Sequence, residues 1–99
     1  MNRLISIHSV VVATKHQVFC ALGEESAILN MENSVYYGMN EVGTRVWNLL
    51  QQPKSIREIR DAIVDEYEVT PEQCERDLLE LLAQLKAEGL IELRSAAAF

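Results

Sequence analysis

The sequence predicts an α+β fold, a three-stranded antiparallel sheet followed by three helices, with a short strand able to close the chain. Three observations predict it. Residues 17–39 hold three apolar runs rich in β-branched and aromatic side chains, separated by tight polar turns. From Glu41 onward the apolar residues recur at helical spacing instead. Asn40, Ser55 and Thr70 each stand where a helix N-cap belongs.

The first fifteen residues offer one short strand around Val10–Ala13 or a loosely attached arm. Arg3 followed by Leu4–Ala13 faintly imitates a secretory signal, but His8 and two serines interrupt it and the valines suit a β segment equally well. We therefore expect a cytoplasmic protein. Gln17–Leu22 reads as a strand that ends at the turn Gly23-Glu24-Glu25, and Ser26–Met31 as its partner. Glu32-Asn33-Ser34 makes a hairpin turn, with Asn33 the residue suited to a positive φ. Val35–Met39 is the third strand, and short links between the three favour a meander. On it Val35, Tyr37 and Met39 share the core side, while Tyr36 and Gly38 face away. Gly38 leaves that side bare, so another backbone can come close.

Helical patterning begins after Asn40. Val42, Val46, Leu49 and Leu50 mark a first helix, Trp47 beside them, until Gln52-Pro53-Lys54 breaks it. Ser55 and Glu58 stand in capping-box relation for a second helix, with Ile56, Ile59, Ala62, Ile63 and Tyr67 on one side. The third helix starts at Thr70 with Pro71 in its first turn, and Gln73 placed to complete a box. Gly89 stops it, Leu90–Leu93 is the candidate last strand, and Arg94–Phe99 reads as a frayed tail. Without repeat or linker, the chain is expected to form one domain over residues 16–93.

Composition removes several classes of function. A formal net charge of −6 resists nonspecific attraction to phosphates and anionic membranes. Cys20 and Cys74 are far apart and lie on apolar faces, which suits small core residues better than a disulfide framework or zinc site. His8 and His16 have no partner set, Cys20 has no evident base, and no glycine-rich phosphate loop occurs. We expect no catalytic residue, no metal and no cofactor.

The third helix is broader on its apolar side than one packed stripe requires. Cys74, Leu78, Leu81 and Leu85 form that stripe. Leu82 lies about 40° from Leu78 around the helix and Leu79 about 100°. One reading buries them all. The other has Leu79 and Leu82 border a groove facing the strand Val35–Met39, with Arg76 and Lys86 on that side to meet acidic groups of a visitor. An edge strand beside such a groove can take an extended peptide through backbone hydrogen bonds, with alternate guest side chains in apolar pockets. No Lys or Pro guards Val35–Met39 against that pairing.

Gly23–Met31, Val35–Trp47 with its Tyr36-Tyr37-Gly38-Met39-Asn40-x-x-Gly43 element, and the run Cys74–Leu79 to Glu88–Ile91 resemble the PqqD-like family. These are recognition domains of ribosomal peptide maturation, and the likeness is to the stand-alone leader-binding proteins of lasso-peptide clusters. It covers roughly residues 16–93 and leaves the first fifteen unmatched. Met39 stands where the family usually has Leu, a near-isosteric change. The resemblance implies a winged-helix-like fold and a precursor leader added as a strand beside Val35–Met39, packed on the third helix. Together with the helix-face reading, this gives an expected peptide-binding set of Val35, Tyr36, Tyr37, Gly38, Met39, Arg76, Leu78, Leu79, Leu82 and Lys86. It also implies a non-catalytic adaptor that delivers its precursor to a separate enzyme. In lasso systems that is a leader-cleaving protease followed by a macrocyclising enzyme; in the quinone-cofactor branch it is a radical enzyme.

The rival reading is a winged-helix DNA-binding or regulatory module, since a short turn at Glu68–Thr70 joins the last two helices. Charge opposes it. From Glu72 to Glu88 the third helix sets five carboxylates against Arg76 and Lys86, where a recognition helix should be basic. No nucleic acid and no membrane is expected as partner. The same open strand can also pair with a second copy, giving a homodimer.

Overall fold

A computed structural model of the chain describes residues 6–94. Two three-stranded antiparallel sheets pack with three helices. The strand β1 (Val10–Ala13) is central in one sheet, flanked by β5 (Lys54–Ser55) and β6 (Ile91–Arg94). The other is the meander β2 (Gln17–Leu22), β3 (Glu25–Asn30) and β4 (Val35–Met39). The helices are α1 (Glu41–Leu49), α2 (Ile56–Glu66) and α3 (Pro71–Ala87). The expected meander, three helices and closing strand are all present; the β1-centred sheet is the addition.

That sheet exists only through distant pairing. Val11 faces Lys54 on one side and Leu93 on the other. Ala13 N–H donates to Leu50 O at 2.8 Å and Thr14 N–H to Leu90 O at 2.9 Å, tying the sheet to the ends of α1 and α3. Val11, Val12 and Ala13 are buried, so this stretch is an integral strand of the core rather than a loose arm. Arg94, assigned by sequence to the frayed tail, is the last residue of β6; the remainder of that tail lies outside the described residues.

The helix caps work as the sequence suggests, with one change. Asn40 Oδ1 accepts from Gly43 N–H at 2.9 Å. Ser55 and Glu58 form a complete reciprocal box. Thr70 Oγ1 accepts from Gln73 N–H, but the Gln73 side chain turns forward to Asp77 instead of back to the cap. In the β3–β4 hairpin the positive φ falls on Ser34 (62°), not on Asn33. Asn33 Oδ1 instead accepts from Val35 N–H at 3.0 Å, an Asx-type turn that fixes the start of β4.

One core joins the layers. Ile28 and Met39 from the meander, Val46 and Trp47 from α1 with its C-cap Leu50, Ile56, Ile59 and Ile63 from α2, and Leu78, Leu82 and Leu85 from α3 meet Val11, Leu90 and Ile91. Polar ties stitch the meander to the helices. Ser26 Oγ lies 2.7 Å from Thr44 Oγ1, and buried Asn30 donates to Glu88 O at 2.8 Å. Cys74 is buried as expected. Cys20 is exposed, because β2 is an outer strand and its Val18, Cys20 and Leu22 side points away from the helices.

Candidate functional site

β4 is an edge. It hydrogen-bonds to β3 on one side and to no strand of the described chain on the other. Backbone N–H and C=O groups on the free side are thus available to an added strand. The pleat sorts its side chains: Met39 is buried, Tyr37 half-buried, and Tyr36 is 68% exposed on the outer face. Val35 shares the core side by register but is exposed. A Cβ on Gly38 would touch nothing within 4 Å, so the folded chain itself leaves that position open.

Beside this edge lies a cavity of about 670 Å³ between β4, the start of α1, the α2–α3 turn and the first half of α3. Its buried lining is Met39, Val46, Ile63, Cys74 and Leu78; Tyr37, Val69 and Leu81 are half-buried at its walls. The Asn40-x-x-Gly43 element shapes the mouth. Asn40 caps α1 through Gly43 N–H, and a Cβ on Gly43 would come within 3.2 Å of Met39 Cβ. The absence of a side chain there lets α1 begin directly behind β4 without pushing Met39 out of the wall.

Tyr37 spans the gap at one end, donating its hydroxyl to Gln84 Oε1 of α3 at 2.6 Å. Burial, helped by the Glu88 carboxylate, pushes its phenol up, so it remains a donor through the physiological range. At the other end burial likewise raises Tyr67, with Glu41 and Glu66 adding to the effect. Arg45 holds Glu66 by two bonds of 2.8 Å, which keeps that carboxyl below its ordinary value and fastens α1 to α2 behind the cavity.

The sequence-derived residues divide cleanly. Tyr37, Gly38, Met39 and Leu78 line the cavity, and Val35 and Tyr36 continue the same edge. Leu79, Leu82, Arg76 and Lys86 do not line it. Measured around the helix from Leu78, cavity-lining Leu81 and Asp77 sit at about −60° and −100°. Leu82, Lys86, Leu79 and Arg76 sit at about +40°, +80°, +100° and +160°, on the opposite flank. The trough therefore runs along the other side of α3 from the one expected. α2 is the reason: its Arg60 reaches Glu75 of α3, at about +60° on the same scale, by a contact of 3.1 Å, so α2 closes that flank. Leu82 is fully buried in the core and Leu81, read as core, forms the wall. Leu81, Asp77, Val69 and Glu68 line the cavity and were not among the residues singled out from sequence for the site; the signal available was the α2–α3 turn, whose Val69 has no helical stripe to join.

Among the described residues, no helix is long and apolar enough to cross a membrane, and no group of three or more His, Cys, Asp or Glu could hold a metal ion. The family model for coenzyme PQQ synthesis protein D (PqqD) matches residues 25–91, from the start of β3 to the start of β6. A solved structure of TbiB1 in complex with the TbiA(beta) leader peptide is similar in fold and sequence. It is 33% identical, with a TM-score of 0.76, covering 89% of this chain and 99% of that one. No curated protein matches the chain.

Proposed function

This chain belongs to the PqqD family, and from that premise we propose that it is a non-catalytic adaptor that captures the leader of a ribosomally made precursor. The leader adds as a strand along β4, its inward side chains entering the cavity against α3. The adaptor then presents the precursor to a separate processing enzyme, a leader-cleaving protease acting before a macrocyclising enzyme as in lasso-peptide systems. Likeness to a chain solved with a leader peptide supports the capture step. The observation that carries the reading is the free β4 edge with an apolar cavity directly beside it.

Magnitudes agree with such a role. A fully buried aliphatic or aromatic anchor contributes about 1.5–3 kcal/mol. Two or three anchors and a short ladder, less the ordering cost of a flexible peptide, leave roughly micromolar binding. That suits a carrier that must release its cargo.

The test is titration of the leader segment of the encoded precursor into isotopically labelled protein. The backbone amides of Val35–Met39 should shift most and gain protection from exchange. Binding that leaves those amides unmoved would remove strand addition. Trp47 is a poorer direct reporter, being only 2% exposed behind the cavity.

A further inference from the structure

The trough carries carboxylates and no cation. Of the side chains lining it, Glu68 and Asp77 are the acidic ones, and no Lys or Arg is among them. Neither forms an ion pair among the described residues. Asp77 Oδ1 accepts from the neutral amide of Gln73 at 2.9 Å. The nearby cations are already engaged: Arg45 with Glu66, and Arg60 with Asp61 and Glu75. Lys86, which the sequence suggested would meet an acidic visitor, lies on the far flank of α3; Arg76, rooted on that flank too, turns its guanidinium to Gln73 Oε1 at 3.3 Å and forms no ion pair with Asp77.

An apolar wall ending in uncompensated carboxylates fits one kind of side chain. Lys and Arg lay an aliphatic stem along hydrophobic surface while keeping the charged head at its polar rim. Val69 and Leu81 supply the wall, Glu68 and Asp77 the rim. We infer that this adaptor selects leaders bearing a lysine or arginine in fixed register with their apolar anchors, the cation resting between Glu68 and Asp77. The inference rests on the proposed strand capture and sharpens it into a charge preference. It reverses the sign that the sequence suggested for the guest.

Glu68 and Asp77 are exposed, so the effect is moderate: a screened ion pair supports about a threefold preference for Lys or Arg over a neutral residue of similar length. Discrimination against Asp or Glu should be larger, because like charges then meet.

Selection of a displayed library of randomised strand-length peptides on the full chain, in parallel with the Glu68→Gln/Asp77→Asn double variant, decides it. On the native protein, one position at constant spacing from the apolar positions should be enriched in Lys and Arg and depleted of Asp and Glu. On the double variant the apolar pattern should persist and that charge bias should vanish. Resynthesised with Met for Lys, the winning peptide should bind about threefold more weakly and lose most of its salt dependence. If selected peptides shift the Val35–Met39 amides yet show no charge bias, or the same bias on both proteins, this inference falls and strand capture stands. Failure of any peptide to bind overturns both.

Discussion

The two flanks of α3 carry nearly the same chemistry in sequence and opposite roles in space. Leu82 and Leu81 are adjacent leucines on a helix with apolar residues on both sides of its stripe. One is sealed in the core and the other walls a cavity. What separates them is what lies opposite. α2 closes one flank through Arg60 and Glu75, whereas β4 and the α2–α3 turn stand back from the other and leave about 670 Å³. A helix's own period orders its apolar positions around the axis but cannot say which margin of the stripe meets a neighbour.

The sharpest way to break this comparison is to exchange the damage. Leu82→Asp should abolish cooperative folding, since a carboxylate at a fully buried site has no partner to offset its desolvation. Leu82→Ala should cost about 2–5 kcal/mol, a large share of a small domain's stability. Thermal or urea unfolding followed by circular dichroism reads both. A Leu82→Asp protein that folds normally would show that the stripe is centred elsewhere.

Leu81→Asn comes next in size. Half-buried on the cavity wall, it should lower folding stability by only about 1 kcal/mol. Leader affinity should fall five- to tenfold, because the wall loses apolar surface that a guest would cover. Unchanged affinity would move the guest's anchors away from this flank. The pair of leucines thereby separates stability from binding within one helical turn.

How much of this was legible depended on the range of the interaction. The meander announced itself because each strand, turn and partner lies within a few residues of the next, from Gln17 to Met39. The caps at Asn40, Ser55 and Thr70 are equally local, and their side chains bond as their positions suggest. The β1-centred sheet was hidden because β5 has two residues and β1 four, too short for a period, and β1 pairs with the middle of the chain at β5 and with its far end at β6. Cys20 followed the same logic. Its strand is apolar on both faces, and the position of β2 at the sheet margin leaves both of them exposed. At the site, the β4 edge was readable from composition and the absence of guarding residues. The flank of α3 that completes the trough was not, for it is set by where α2 lands.

The smallest effect bears on the same asymmetry from its far side. Arg76 and Lys86 are exposed residues rooted on the flank of α3 away from the trough, and Arg76 reaches round only as far as the Gln73 amide oxygen at 3.3 Å. Both charges are screened by solvent and salt, so they reach a guest only weakly. Arg76→Ala with Lys86→Ala should change leader affinity by no more than about twofold, and for a basic guest the change should be toward tighter binding, since two repelling charges are gone. Lys86 sits in the last turn, where a cation complements the helix dipole, so folding stability should drop by about 0.3–1 kcal/mol. Calorimetric titration beside an unfolding curve reads both quantities. Weakening of fivefold or more, with the fold intact, would mean that the guest crosses α3 onto its packed flank, and the division between the two sides would no longer describe how the protein holds a peptide.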